Sequence, residues 1–476
     1  MASPRILVIG GGPAGLAAAI SATRAGASVI VADRMDRVGK KLLASGNGRC
    51  NLSNAFIGAA NYHGAGAVPA LSILGKYEDG FIRDFFRSVG VLTVYDGESR
   101  LYPGTYSSAT VLNALRCEAA RLGVVEAASC KAVSISRAGG VFETRFRSVG
   151  VRARTLLDAL SGAAGPRFSK NAALIDGRPA DDPAENASAG GVREQLAFIS
   201  DRVIVAAGGM SAPSLGSDGS GYGLLTALGH RLIAPAPALA QLCLSAGSVR
   251  GLKGVRAQAG IALYRASDIR LPDAAPLYRE TGELLFTDYG ISGIPALNLS
   301  CRLAPYINGK AKPDKAVRPF LCPGFIISID LFPEYSAEEI AGFLADRLEQ
   351  WPLLPEAELL CGILHKQIAA RVTETVINKD QKNGPAPGYA SRLASALKDW
   401  RHGLDGVMGF DNSQVTYGGL SFGDFYEATL ESRIEKGLYA AGEILDVAGE
   451  CGGYNLHWAF VSGYHAGKCA ASGGSI

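Results

Sequence analysis

Near the start of the chain stands Arg5-Ile6-Leu7-Val8-Ile9-Gly10-Gly11-Gly12-Pro13-Ala14-Gly15-Leu16. Residues Arg5–Ile9 are aliphatic after the first position, as in a short buried strand. Leu16–Ala25 follows as a small-residue helix, Gly26 ends it, and Ser28–Ala32 forms the next strand, closed by Asp33 and Arg34. The spacing Gly10-x-Gly12-x-x-Gly15 between strand and helix is a dinucleotide fingerprint. Its first glycine permits the tight turn, its second lets a pyrophosphate approach the backbone, and its third lets helix and strand pack closely. Pro13 and Ala14 open the helix, whose free N–H groups face the phosphates. Asp33 ends the second strand, where a carboxylate accepts from ribose hydroxyls and repels a 2′-phosphate, so the site does not look built for NADP. The fingerprint alone does not choose between NAD and FAD.

The rest of the chain sets bounds on this reading. Its 476 residues suffice for two or three domains, and 48% hydrophobic with 19% charged residues is globular composition. Sixty glycines is a high count, so many backbone positions need tight turns or close approach. A net charge of +3, from 47 basic and 44 acidic residues, gives no electrostatic reason to expect nucleic acid or an anionic membrane. The nine cysteines include no C-x-x-C pair, which argues against a zinc site or a redox dithiol and fits a reducing cytoplasm. No apolar stretch is long enough to span a bilayer. The first 31 residues resemble a signal peptide only superficially, since glycines interrupt the apolar run.

Further along, residues 79–90 read as an amphipathic helix with Phe81, Ile82, Phe85, Phe86 and Val89 on one side. Another helix is expected over Ser108–Leu122, then strands around Val133 and Phe142. Residues 161–192 lack periodicity and read as a flexible surface insertion. Arg202–Ala207 is an apolar strand ending in Gly208-Gly209. From 236 to about 333, alternation between turn signals predicts an antiparallel sheet or barrel. Residues 336–402 switch to helical spacing, including Ala337–Gln350 and Ser391–Arg401. A strand over Gly437–Ala441, a glycine turn at 449–453 and a helix from about Asn455 close the chain.

Later segments choose the cofactor. The run from Gly39 to Asn51, Gly-Lys-Lys-Leu-Leu-Ala-Ser-Gly-Asn-Gly-Arg-Cys-Asn, resembles a G-K-K-L-x-x-S-G-x-G-R-C-N signature. That signature belongs to bacterial NAD(P)/FAD-dependent oxidoreductases related to aminoacetone oxidase and the bile-acid enzyme BaiN. The resemblance continues in Ser99-Arg100-Leu101-Tyr102-Pro103, Ala206-Ala207-Gly208-Gly209 and Gly282–Thr287. It ends in Val415–Gly419, Gly437–Asp446 and Cys451–Leu456, in family order. It implies an α/β fold: a Rossmann-type FAD-binding domain with an inserted β-barrel-like domain and a small helical domain. Their expected bounds are 1–235 with 405–476 for the FAD-binding part, 236–335 for the β-rich part and 336–404 for the helical part.

Physical reasoning places the loop around the cofactor in the same way. A loop with two glycines and an arginine wraps pyrophosphate and ribityl through backbone amides and a cation. The expected FAD set there is Lys41, Ser45, Gly46, Gly48, Arg49, Cys50 and Asn51, with Val133 on its strand. Ala207, Gly208 and Gly209 follow the third strand, and Gly442, Glu443 and Asp446 are expected beside the ribityl chain. Gly452, Gly453, Tyr454, Asn455 and Leu456 would aim helix N–H groups at the flavin edge that gains negative charge on reduction.

Two departures from the family pattern bear on the chemistry. The family often has F-T-H-Y-G where this chain has Phe286-Thr287-Asp288-Tyr289-Gly290, and N-L-Q-W where it has Asn455-Leu456-His457-Trp458. Candidate catalytic residues are therefore Arg100, Asp288, Tyr289 and His457, each with a bland alternative as a packing or surface residue. Cys50 and Cys451 lack sequence neighbours for a redox pair and read as structural. Gly216–Gly223 is glycine-rich without fingerprint spacing, so NAD(P)H would bind transiently over the flavin. Three functions stay open: reduction of an enone-like C=C in a hydrophobic substrate, O₂-dependent oxidation of a small amine such as aminoacetone, and a non-catalytic or nucleic-acid-modifying flavoprotein.

Overall fold

The structure is a computed structural model that describes residues 3–77, 80–148, 195–269, 274–307, 319–351, 358–376 and 388–473. The insertion expected at 161–192 lies outside the described residues. Two compact units are present: Met1–Pro235 with Val415–Ile476, and Ala236–Gln414.

The first unit opens with β1 (Arg5–Ile9), α1 (Pro13–Arg24) and β2 (Ser28–Ala32). Then come β3 (Val125–Ala127), β4 (Cys130–Ala138), β5 (Val141–Ser148), β6 (Gln195–Ser200) and β7 (Arg202–Val205). β4, β5 and β6 make an antiparallel sheet of their own. The helix expected over residues 79–90 runs over Phe81–Ser88, and Ile82, Phe85 and Phe86 are buried.

The second unit contains β8 (Leu242–Leu244), β9 (Arg256–Arg265), β10 (Tyr278–Phe286), β11 (Gly290–Ser292), β12 (Phe325–Asp330) and β13 (Trp400–Val407). Pairing runs β8-β11-β10-β9-β12-β13, and β13 returns to β8, so six antiparallel strands close into a barrel. Closure removes the exposed sheet edges. Helices α2 (Ala337–Gln350), α3 (Lys366–Val376) and α4 (Tyr389–Lys398) share one apolar core with the barrel. Leu344, Val372 and Leu397 from the helices lie in that core with Leu263, Phe286 and Ile329 from the strands. The expected helix over Ser391–Arg401 stops at Lys398, and the chain becomes β13 at Trp400. Trp400, His402 and Leu404 alternate inward there, but Arg401 and a buried imidazole hide the apolar period.

The chain then returns to the first unit with β14 (Leu438–Ala440) and α5 (Tyr454–Ser472). The parallel sheet of that unit has the order β14-β7-β1-β2-β3, with β1 central. Strand order reverses at β1, which leaves a crevice outside the carboxyl ends of β1 and β7, the usual binding place of such sheets. α1 and α5 approach closely because glycines face the α1 backbone. A Cβ on Gly463 would stand 2.1 Å from the Ala14 carbonyl oxygen, and one on Gly467 2.2 Å from that of Ala18.

Candidate functional site

The fingerprint glycines do different jobs. A Cβ on Gly10 (φ +101°) would lie 2.4 Å from the Ala206 carbonyl oxygen, and one on Gly15 only 1.8 Å from that of Gly10. Both are required by packing. Gly12 has extended backbone, and a Cβ there would meet nothing within 4 Å, so its side is open. It caps α1 without a side-chain hydrogen bond, and Pro13 starts the helix. The first-turn amides therefore border open space, which is the arrangement that binds a phosphate.

Asp33 is committed to the protein. Its Oδ2 accepts from the Gly11 N–H at 2.7 Å and its Oδ1 from the Met35 N–H at 2.8 Å. Burial raises its pKa, and the two amide bonds oppose that rise. The carboxylate thus fixes the fingerprint loop against the end of β2, in addition to the ribose role expected of it. Arg34 pairs with Asp218, which also lies 3.7 Å from Lys131. Val133 is the bulged residue of β4, skipped between Ala132 and Ser134 in the pairing with β5, and its side chain is exposed.

Residues Gly46 (φ +56°), Asn47 (φ +53°), Gly48 (φ +83°) and Cys50 (φ +62°) give the 45–51 loop a run of left-handed backbone. The turn is closed by its own backbone, with the Arg49 and Cys50 N–H groups donating to the Gly46 and Ser45 carbonyls at 3.0 and 3.1 Å. Gly48 has open space at its side, and Arg49 is exposed. The Ser45 hydroxyl donates to the Leu42 carbonyl at 2.6 Å. The side-chain oxygen of Asn51 is buried and, among the described residues, has no hydrogen-bond partner. An orphan acceptor fits a bound polar molecule, because native interiors rarely leave such atoms unpaired. The Cys50 thiol is fully buried and its pKa is pushed up to about 12 by desolvation, so it is no thiolate.

A polar chain ties this loop to the other strand ends. Lys41 Nζ meets Glu443 Oε2 at 2.7 Å, and Glu443 Oε1 accepts from the Thr416 N–H at 2.9 Å. The Thr416 hydroxyl accepts from the Met210 N–H at 2.8 Å, just past Gly208 and Gly209. A Cβ on Gly209 would stand 2.4 Å from that hydroxyl, and Gly208 has φ +73°. Ala207, which precedes them, is half-buried at the end of β7. Thr416 was not among the expected site residues. It lies inside the Val415–Gly419 segment, whose order matches the family, and nothing in its spacing marks it as a link.

The start of α5 is closely packed. Gly452 (φ +137°) accepts through its carbonyl from Asn54 Nδ2 at 3.0 Å. A Cβ on Gly453 (φ +97°) would stand 2.4 Å from the Ser53 carbonyl oxygen and 2.6 Å from Asn51 Oδ1. Asn455 binds both polar groups of Gly449, accepting from its N–H at 2.7 Å and donating to its carbonyl at 2.7 Å. The Tyr454 carbonyl accepts from the Tyr62 hydroxyl at 3.1 Å, and Leu456 is half-buried. Asp446 accepts from the N–H groups of Ala65 at 2.7 Å and Gly418 at 3.0 Å. Gly442 donates to Ser462 Oγ at 3.0 Å and accepts from Trp458 Nε1 at 3.2 Å, while its bare face meets the Ala14 methyl.

Of the four catalytic candidates, two belong to this unit. His457 Nδ1 is 2.7 Å from Ser53 Oγ, and burial lowers its pKa to about 4. Its imidazole is neutral near pH 7 because desolvation penalises the cation. Arg100 pairs with Glu98 at 2.8 Å; burial raises the pKa of the nearby Tyr454 phenol, and the Arg100 charge only opposes that rise. Asp288 and Tyr289 belong to the barrel unit. Asp288 is exposed and pairs with Lys253 at 2.5 Å; the Tyr289 hydroxyl donates to Gln241 Oε1 at 2.8 Å. The nine cysteines are free, and no group of residues among those described could hold a metal. No described helix is long and apolar enough to cross a membrane.

A βαβ crevice with open helix-start amides is a dinucleotide site of the Rossmann type, and the family match makes the chain an FAD-dependent oxidoreductase. The chain belongs to the HI0933-like family: the family described as "HI0933-like protein Rossmann domain" matches residues 4–178 and 182–469. It is 34% identical over 476 residues to the 3-dehydro-bile acid delta(4,6)-reductase of Clostridium scindens, covering 98% of this chain and 99% of that one. It is 24% identical over 468 residues to the ribosomal RNA dihydrouridine synthase of Escherichia coli, covering 96% of each chain. The enzyme of the same name from Haemophilus influenzae is 24% identical over 471 residues, covering 98% and 97%.

Proposed function

We propose that this protein reduces a C=C bond conjugated to a ketone in a hydrophobic, steroid-like substrate such as a bile-acid derivative, with electrons from NAD(P)H passed through FAD. The observation that carries this reading is the 34% identity, over almost the full length of both chains, to a reductase of 3-dehydro-bile acids. The names of the more distant relatives point the same way, since dihydrouridine is uridine with its ring C=C saturated. No residue match singles out the oxidase alternative.

When bound, FAD supplies two-electron transfer between nicotinamide and substrate. In this reading the amides after Gly12 bind the diphosphate with the exposed Arg49 of the 45–51 loop, and Asp33 holds the fingerprint loop in place. Lys41 and Glu443 hold each other in fixed rotamers beside the cofactor. The Asn51 oxygen accepts a hydrogen bond from it. His457, neutral and engaged with Ser53, positions the head of α5 and is not the acid. Arg100 is the cation assigned to an anionic group of the substrate, and Asp288 and Tyr289 remain the barrel's candidates for substrate contact.

Anaerobic photometry of the yellow protein tests this. NADH or NADPH should bleach the flavin, and a 3-oxo-4,6-diene bile acid should restore the colour. Recolouring by a uridine-containing ribosomal RNA fragment and not by the dienone would move the assignment to RNA modification. Bleaching by aminoacetone, with peroxide formed on aeration, would make it an oxidase.

A further inference from the structure

The barrel unit holds a second polar site that the flavin chemistry does not use. A cavity of about 380 Å³ is lined by residues that include Ser248, Arg371, Asp399, Trp400, Arg401 and His402. That volume lies toward the small end of ligand pockets, roughly 300–1,000 Å³, and far exceeds the room one water needs. His402 is 5% exposed, projects from β13, and packs edge-on against Trp400 with ring centroids 4.4 Å apart. Its Nε2 is buried and has no hydrogen-bond partner among the described residues. The same holds for Arg371 Nε, from α3.

The charges around these two nitrogens are unequal. Asp399 is the acid named in the lining, and it is already taken: its Oδ2 holds Arg401 at 2.6 Å and its Oδ1 accepts from the Ser328 hydroxyl at 2.6 Å. Arg371 is held in place by donating to the Gly247 carbonyl at 2.9 Å, and its other terminal nitrogen pairs with the exposed Glu374. The lining itself thus presents two cations to one acid, the second carboxylate, Glu374, lying exposed outside it, with an indole ring as one wall. Buried polar atoms of native proteins are nearly always paired, so unpaired nitrogens on two of the residues that line one cavity call for a partner.

We infer that this cavity is a binding site for a small oxyanion, a carboxylate or a phosphate-type group, received by Arg371 and His402. Its filling also has a protonic signature. Burial, together with the positive charge of Arg371, holds His402 at a pKa of about 4, neutral while the site lacks an anion. Arg371 shares the lining with it from α3, Asp399 from the turn into β13 and Arg401 from β13 itself. A bound anion offsets the field of Arg371 and favours the imidazolium, so binding takes up a proton and is tighter at lower pH.

Calorimetry on the FAD-loaded protein tests the inference with sulfate as the tetrahedral probe and benzoate as the planar one. Neither probe titrates between about pH 5.5 and pH 7.5, so any change in affinity belongs to the protein. One probe should bind saturably, more tightly at the lower pH and with proton uptake; the stronger of the two identifies the class of anion. Arg371→Gln and His402→Phe should each weaken binding by about tenfold or more while FAD content stays unchanged. The Arg371 side chain is only partly buried (30% exposed), so its variant decides the matter if the histidine variant does not fold. Absence of saturable binding by both probes would leave only water in the cavity and overturn the inference, as would undiminished binding in the folded variants.

Discussion

Helices α1 and α5 both begin at a glycine, and the two glycines are there for opposite reasons. Gly12, before α1, has ordinary extended backbone and open space where a side chain would stand. Gly453, before α5, is left-handed at φ +97° and is enclosed by the Ser53 carbonyl and Asn51. The first start is open on that side. The second is closed by protein, and the polar side chains Asn455 and His457 in its first turn are already engaged. The comparison separates a glycine needed for a ligand from one needed for the chain, and substitution can tell them apart.

The largest effect is expected at Gly15, where the third fingerprint glycine touches backbone. A Cβ there would stand 1.8 Å from the Gly10 carbonyl oxygen, so neither flexible side chain nor solvent can give way. Gly15→Val should cost several kcal/mol, enough to remove soluble protein from expression trials. Gly12→Val is the contrasting case. It should fold with stability within about 1 kcal/mol of the FAD-free wild type, the loss reflecting only a poorer helix cap. Yet it should retain no FAD, because its side chain would occupy the diphosphate's approach. Absorbance at the flavin band, read beside urea unfolding of both apo proteins, checks the pair. A variant that stayed yellow would mean that the open side of Gly12 is not where the cofactor lies.

Gly453→Ala should fall between these. A non-glycine residue in left-handed backbone costs about 1–2 kcal/mol, and the contact with the Ser53 carbonyl adds to that. We expect a stability loss of about 2–4 kcal/mol with FAD still bound in the fraction that folds. Complete loss of FAD with unchanged apo stability would reverse the contrast and make the α5 start the more open of the two.

How far each part of the molecule was legible follows from what it is made of. The fingerprint is a site made of backbone, and backbone geometry restricts residue type at fixed spacing, so Gly10, Gly12 and Gly15 announce it. The barrel strands β9 and β10 show their alternation for the same reason, since one face is buried. β13 did not, because Arg401 and the buried His402 interrupt its apolar pattern and its helical lead-in carries the eye past Lys398. Side-chain links between distant segments left no trace at all. Thr416 reaches Met210 across 206 residues of sequence, and Lys41 reaches Glu443 across 402, so no local pattern encodes either. The direction of the His457 ring was likewise hidden, since helix position fixes where a side chain starts and only packing fixes where it ends.

The smallest effect, and the sharpest check on the closed start of α5, concerns that ring. His457 has a folded-state pKa of about 4, below the 6.5 of a free histidine, because burial disfavours its cation. Between those two values the unfolded chain binds a proton that the folded chain refuses. The contribution to stability is therefore whole above pH 6.5 and is lost as pH falls through 4, by about 3 kcal/mol at one proton per unfolding event. His457→Gln removes the titrating group while keeping hydrogen-bonding capacity toward Ser53. At neutral pH the variant should be about 1 kcal/mol less stable than wild type, for an imperfect fit beside Ser53. As pH falls its stability should decline less steeply, by one proton, so that the two curves cross near about pH 6 and the variant is about 2 kcal/mol the more stable at the acid end. His402, with the same lowered value, contributes equally to both proteins and cancels from the difference. Urea unfolding at a series of pH values measures this directly. Equal slopes would mean that His457 is already protonatable in the folded protein, and a shift in the neutral limb of substrate turnover would return it to the chemistry. If instead the curves cross and the turnover profile is unmoved, the first turn of α5 is structural on the His457 side, and the acid for the proposed C=C reduction comes from elsewhere.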